Sequence, residues 1–310
     1  MHMSQKISQR LWNQTEKAQR ETTRELEFID DIVQKHHLER DLLASLDGVR
    51  TAFDGGAGTG RFSLLLAARG VRVTHFDISQ AMIDQARTRA EDAGVAENMT
   101  FALGALEDLS AFADRQFDLV YSFDAPVSYT WPNQERVVAE LVRLAGKRVL
   151  LSVSSRLGAL PYFANPLQKN QFFLNAQSQD SWVQWGLAHE QEAIDGFRFD
   201  RAAAEEFLRE GLNNRGRSEV EEYERGGTPW PITYHFLPDE LRALLERCGL
   251  RRVELAGPGA YARTLPNALL VKLMNDEEQR RDFLDFCYHY DRNPWVCGMG
   301  KDNLFAKGEV

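Results

Sequence analysis

Between residues 49 and 155, five short apolar runs alternate with helical text, and this alternation constrains the fold more than any other feature. The runs are "VRTAFD", "VRVTHFD", "MTFAL", "FDLVYSF" and "KRVLLSVSS". Between them lie "RFSLLLAARG", closed by Gly70, and "QAMIDQARTRAEDAG", capped by Ser79 and stopped at Gly94. "NQERVVAELVRLAG" follows, with Gly146 past its end. Strands alternating with helices over short connections predict a parallel sheet covered on both faces. Near-continuous apolar strands fit that burial.

The rest of the chain extends this plan. Residues 7–46 read as helix, with Leu26, Ile29, Val33, Leu38, Leu42 and Leu46 near helical spacing. "FLPDELRALLERCGLRRVEL" reads as a helix, a stop at Gly249 and a sixth strand. The tail "DNLFAKGE" reads as the seventh. "ALLVKLM" is its rival, but Lys272 and the run-on into "NDEEQRR" favour helix, with Pro266 suited to a first turn. Residues 157–236 hold 13 aromatics in 80 positions and break the regular pattern. The expected architecture is α/β: a doubly wound, mostly parallel seven-stranded sheet with helices on both faces, plus an inserted lobe. The expected divisions are an N-terminal helical lid at 1–48, a core at 49–156, a helical, aromatic-rich lobe at 157–235, and completion of the sheet at 236–310.

Composition narrows the classes. Hydrophobic residues make up 43% and charged residues 27%, as in soluble globular proteins. No apolar run reaches the ~18 residues that span a bilayer, and the polar start "MHMSQKISQRLWNQ" does not read as a secretory signal. Cys248, Cys287 and Cys297 are scattered, which suggests a reducing compartment and neither a disulfide framework nor a zinc site. The expectation is a cytoplasmic protein. A net charge of −9 opposes nucleic-acid affinity driven by phosphate neutralisation. The densest basic spots are "RRVE" at 251–254 and "RGR" at 215–217. Nothing in the sequence speaks to oligomeric state.

The stretch "FDGGAGTGR", Phe53 to Arg61, opens the question of a ligand. Gly55 and Gly60 have the spacing of a phosphate-cradling loop, but Arg61 and Phe62 stand where Lys and Ser or Thr belong. Gly56 and Gly58 begin a dinucleotide fingerprint, but Arg61 is too large for its third glycine. Asp54 instead ends the first strand, where a carboxylate beside a bare loop suits a ligand with an amino group and no phosphate. Asp77 ends the second strand, where a carboxylate can accept from a ribose diol. Amino group and ribose together describe S-adenosylmethionine.

In these four segments, "FDGGAGTGR", "HFDISQAMIDQAR", "LGALEDL" and "FDLVYSF", the chain resembles the class I S-adenosylmethionine-dependent methyltransferases. The likeness runs from about residue 49 to 155, with a weaker echo at 236–256. It implies that Asp54, Gly56 and Gly58 line the methionine part, with Gly55 also at the cofactor, and that Asp77 holds the ribose hydroxyls. Ile78 and Met82 would pack on the adenine, with Phe123 also at the cofactor. After the third strand the family often has Gly-Asp, whereas this chain has Gly104-Ala105. Either backbone atoms of Ala105 and Leu106 read the adenine, or Glu107 or Asp108 does.

The resemblance implies methyl transfer with S-adenosyl-L-homocysteine as product, and the aromatic-rich lobe after the fifth strand favours a small-molecule acceptor methylated at an O or N atom. An activated methyl needs alignment more than a strong base, so no catalytic motif is required. Asp124, in "YSFDAPVSY", is placed to orient an acceptor or to cap the local turn. "FDAPVSY" departs from the Asn/Asp-Pro-Pro-aromatic motif of several amine and RNA methyltransferases. His189 and His235 are weaker candidates for a base. Tyr129 and Trp131 are candidates for the acceptor pocket, and Trp12 and Arg20 for contact with the ligand from a lid. His36 and His37 lack a metal-binding pattern. The alternatives are an RNA or protein acceptor, or a protein that binds the cofactor without methyl transfer.

Overall fold

The computed structural model describes residues 2–27, 29–163, 189–300 and 303–310. A seven-stranded sheet runs through it in the order β3-β2-β1-β4-β5-β7-β6. The strands are β1 (Thr51–Gly55), β2 (Arg72–Asp77), β3 (Met99–Leu103), β4 (Phe117–Ser122), β5 (Ala145–Val153), β6 (Arg251–Ala256) and β7 (Leu304–Glu309). β1 to β5 pair in parallel, while β7 lies antiparallel between β5 and β6. The tail is therefore the seventh strand, and its rival "ALLVKLM" is helical, within Asn267–Asn275. Strand order reverses beside β1, whose neighbours are β2 and β4. Ligands bind outside the carboxyl ends of strands at such a point. Asp54 and Asp77 occupy those ends.

Both faces of the sheet are covered. Phe53, Val120, Leu141, Val149 and Leu245 belong to one buried cluster. Leu38, Leu66, Leu119, Leu150 and Phe305 belong to the other. The covering helices include α4 (Arg61–Ala67), α5 (Gln80–Asp92) and α6 (Gln134–Leu144). Ser79 caps α5 as its residue type suggests, its side chain accepting from the Met82 N–H. Gly146 lies past the end of α6, as expected, and is already inside β5, because Ala145 passes directly from helix to strand.

The N-terminal text breaks after Trp12: α1 (Met3–Trp12) is set off from the helical residues Thr15–Glu27 (α2) and Ile29–Ala44 (α3). The break has a visible cause. Ser79 Oγ donates to the Trp12 carbonyl at 2.8 Å, and the Ala81 N–H donates to Asn13 Oδ1 at 3.2 Å. These bonds stop α1 on the first turn of α5 and redirect the chain. α3 then lays Leu38 and Leu42 on the sheet face.

Beyond β5, the described part of the aromatic-rich stretch includes helices Glu190–Gly196, Arg201–Glu210 and Arg217–Glu224. Phe172, Phe173, Trp182 and Trp185 lie outside the described residues. Arg156 ties this stretch to the core. Its side chain is 2% exposed and donates to the carbonyls of His235 and Leu208, to the Tyr234 hydroxyl and to Glu240. A buried guanidinium is tolerated only with its donors occupied in this way.

Candidate functional site

The strand ends at the switch point open into a cavity of about 1190 Å³. Its floor includes Asp54, Gly56, Ala57, Gly58, Thr59, Asp77, Ile78 and Met82. Gly104, Leu106, Glu107, Phe123 and Asp124 complete that side.

The glycine loop is shaped by two requirements. Gly56 has φ +74°, and a Cβ there would lie 2.4 Å from the Pro126 side chain. Gly58 has φ +55°, with no atom within 4 Å of a hypothetical Cβ, so its backbone borders open space. Left-handed backbone and close approach are the conditions that favour glycine.

Asp77 is the best-defined polar group on the floor. It is 6% exposed, and its two oxygens accept from the Gly58 N–H at 2.8 Å and the Ser79 N–H at 2.9 Å. Each carboxylate oxygen can accept more than one bond. The carboxylate is thus fixed in direction and retains capacity for two further donors, as a vicinal diol would supply. Burial lifts its pKa to about 6.

Asp54 is set deeper, at 2% exposure. Ser63 Oγ donates to it at 2.6 Å, and His75 Nδ1 lies 3.0 Å from the same hydroxyl. Burial lifts the Asp54 carboxyl to about 7 and lowers His75 to about 4. Tyr121, buried beside Asp54, is pushed well above the usual phenol range by burial and that carboxylate. Asp54 therefore belongs to a buried polar chain beneath the loop as well as to the cavity wall.

Other anticipated residues fall in different places. Gly55 and Ala105 do not line the cavity. Gly55 is inside β1, with Leu106 and Phe53 side chains 3.0 and 3.1 Å from where a Cβ would sit. The Ala105 carbonyl closes a turn with the Asp108 N–H. Glu107 lines the cavity, and burial raises its pKa. Phe123 lines it and packs edge-on against Phe62 at 4.8 Å.

On the acceptor side, Asp124 and Ala125 both have positive φ, +65° and +67°. Non-glycine residues reach this region at a cost of about 1–2 kcal/mol each. Ser152 holds them there: its hydroxyl accepts from the Asp124 N–H and its carbonyl from the Ala125 N–H. Asp124 pairs with Lys35 of α3, whose side chain is 7% exposed. His235 lines the cavity, with Nδ1 3.2 Å from the Gly211 carbonyl, which makes Nδ1 the donor. His189 precedes helix Glu190–Gly196 and does not line the cavity; nor does Trp131, which stacks edge-on with His2. Trp12, Arg20 and Tyr129 do line it.

Sequence reasoning missed Lys35, Pro126, Arg156 and Trp230. Lys35 lies in ordinary helical text, and its partner is 89 positions away. Among the described residues, no group of three or more His, Cys, Asp or Glu is placed to hold a metal ion. No described helix is long and apolar enough to cross a membrane.

A methyltransferase-domain family model matches residues 52–147, the segment that builds the cavity floor. Magnesium protoporphyrin IX methyltransferase of Arabidopsis thaliana is 33% identical over 144 residues, which are 43% of this chain and 44% of that one. The tRNA 5-carboxymethoxyuridine methyltransferase of Escherichia coli K12 is 37% identical over 67 residues, 22% and 26% of the two chains. The chain thus spans less than half the length of these curated relatives. An S-adenosylmethionine-dependent methyltransferase from Mesorhizobium loti superposes with a TM-score of 0.49 at 16% identity, over 88% of this chain and 96% of that one. Residues 52–147 match a methyltransferase domain.

Proposed function

We propose that this protein is an enzyme that transfers a methyl group from S-adenosylmethionine to an O or N atom of a small-molecule acceptor by in-line displacement. The observation that carries the reading is Asp77: a buried carboxylate, aimed by two backbone N–H groups, at the edge of a cavity bordered by the bare backbone of Gly58. These residues fit the cofactor. Asp77 would accept from the ribose diol, Ile78 and Met82 would face the adenine, and Asp54, Gly56 and Gly58 would border the methionine part. Leu106 and Glu107 are the lining residues available to the adenine edge. When bound, S-adenosylmethionine supplies an activated methyl group.

The chain's own work is to align and to exclude water. Asp124, fixed by Ser152 and Lys35, orients the acceptor. Where an acceptor hydroxyl must lose a proton, His235 is better placed than His189: with Nδ1 donating to Gly211, the neutral ring presents Nε2 as its basic atom. α1, α2 and the 201–235 stretch wall the cavity on the side away from the floor, and we assign the 157–235 region to acceptor binding.

The Escherichia coli relative keeps an RNA acceptor as a second reading. Charge opposes it. Arg215 is paired with Glu206 and Glu210, and Arg252 with Glu309. Nine Asp and Glu line the cavity against four Lys and Arg.

Calorimetric titration of protein stripped of copurified ligand tests the reading. Binding of S-adenosylmethionine and S-adenosylhomocysteine, with none of NADH, is expected. NADH binding alone would overturn it.

A further inference from the structure

Three aromatic rings from three distant parts of the chain converge in the cavity wall. Trp12 lies 5.4 Å from Trp230 and 6.1 Å from Tyr129, and Tyr129 lies 6.3 Å from Trp230, centroid to centroid. The two tryptophans meet edge to face, as do Tyr129 and Trp230. All three line the cavity. Trp12 and Trp230 both fall outside the matched methyltransferase domain, so they are additions to the cofactor-binding core. Trp230 is 46% exposed, although its ring is large and apolar.

This cluster already holds a cation. The Lys17 ammonium lies 5.0 Å from the Trp12 ring centroid and 5.1 Å from that of Trp230, within the range of cation–π attraction. Glu21 neutralises it at 3.0 Å. Glu16, Glu219 and Glu222 also line this cavity, in keeping with its excess of carboxylates. A ring cluster with negative faces inside an acidic cavity favours a positively charged guest and disfavours an anionic one.

We propose that Trp12, Tyr129 and Trp230 form an acceptor subsite for an organic ammonium group, and that Lys17 occupies it as an internal stand-in when no acceptor is bound. The proposal rests on the methyltransferase reading and narrows its acceptor to an amine-bearing molecule. An incoming ammonium displaces the Lys17 side chain and inherits Glu21 as counter-charge.

The test uses the full-length protein saturated with S-adenosylhomocysteine, titrated with choline and with its uncharged isostere 3,3-dimethylbutan-1-ol. Choline is expected to bind at least tenfold more tightly than the isostere. Trp230→Leu, at a half-exposed position, should weaken choline at least tenfold and change S-adenosylhomocysteine affinity less than twofold. Lys17→Gln removes the internal competitor and should tighten choline several-fold. Equal binding of choline and isostere in both the wild type and Lys17→Gln overturns the subsite. So does choline affinity that ignores Trp230→Leu. Unchanged or weaker choline binding in Lys17→Gln overturns the stand-in role. If Trp230→Leu instead weakens S-adenosylmethionine but not S-adenosylhomocysteine, the rings serve the cofactor's sulfonium and the acceptor proposal falls. Absence of S-adenosylhomocysteine binding to the wild type refutes the underlying methyltransferase reading, a separate failure.

Discussion

The floor and the roof of the cavity are built by different means. The floor, from β1, β2 and β4, places its groups by backbone: Asp77 is aimed by two N–H groups, and Gly56 and Gly58 are set by φ. The roof, from α1 to α3 and residues 201–235, is held largely by side chains: Arg156 to the carbonyls of His235 and Leu208, Lys35 to Asp124, Trp12 to Trp230. Backbone positioning leaves little freedom to the occupant, which suits a cofactor that is always the same. Side-chain positioning changes with few substitutions, which suits an acceptor site that must be particular to one enzyme.

The largest effect should come from cutting the roof away from the floor. Arg156→Leu leaves Glu240 and the carbonyls of His235 and Leu208 without their buried donor. Glu240 is 39% exposed and rehydrates, so the loss comes from the carbonyls left without a donor, about 1–3 kcal/mol each. Denaturant unfolding should show that loss. An Arg156→Leu variant of wild-type stability would mean that the roof is anchored elsewhere.

Gly56→Val attacks the floor. The side chain would need φ +74° and would overlap Pro126. The left-handed backbone costs about 1–2 kcal/mol, and overpacking typically adds 1–3. Thermal unfolding and S-adenosylhomocysteine titration should both register it. Gly58→Ala has the strain without the overlap and should be milder. Equal effects would show that Pro126 yields freely.

Asp77→Ala should weaken S-adenosylhomocysteine binding by about 1.5–3 kcal/mol, the value of hydrogen bonds to a charged group. A folded variant with unchanged affinity would remove the ribose role. The same carboxylate sets a pH dependence. Its pKa in the protein is raised to about 6, and hydroxyl donors favour the ionised form. Affinity should be level above pH 6 and fall below it, by at most about tenfold per pH unit. Asp54 acts on stability with its own sign. Its folded pKa of about 7 exceeds the unfolded value, so its contribution is full below about pH 4 and is lost as pH rises through 7. Asp54→Asn should flatten that fall in a pH series of unfolding curves.

The floor was legible in the sequence and much of the roof was not, for a physical reason. Strand periodicity, glycine clustering and an acid at a strand end are local signals, and the floor is made from them. The order "FDGGAGTGR", "HFDISQAMID", "FDLVYSF" placed Asp54, Asp77 and Phe123 on the cavity wall. Even there, Gly55 and Ala105 turned away, because facing depends on pleat and turn and not on adjacency alone. Roof contacts join residues far apart in the chain. Arg156 meets the His235 carbonyl across 79 positions, and Ser79 stops α1 across 67. Such pairings leave no periodic trace, so residues 7–46 read as one helix where the chain breaks after Trp12.

Lys35→Met is the smallest and most discriminating test of the contrast. Lys35 is buried in the roof, while Asp124 of the floor remains 45% exposed in its side chain. An ion pair with one exposed partner contributes about 0.2–1 kcal/mol, and Met keeps most of the buried stem packed. Stability should therefore change little. Asp124 would keep its strained backbone, which Ser152 holds, but would lose the partner that fixes its carboxylate. Under the proposed function cofactor affinity rests on the β1–β2 side and should stay within about twofold. Turnover depends on the acceptor's orientation and should fall once an acceptor is in hand, through kcat more than KM, because alignment matters most at the reacting geometry. Equal losses of cofactor affinity and turnover would show that Lys35 braces the whole cavity, and that floor and roof are one mechanical unit.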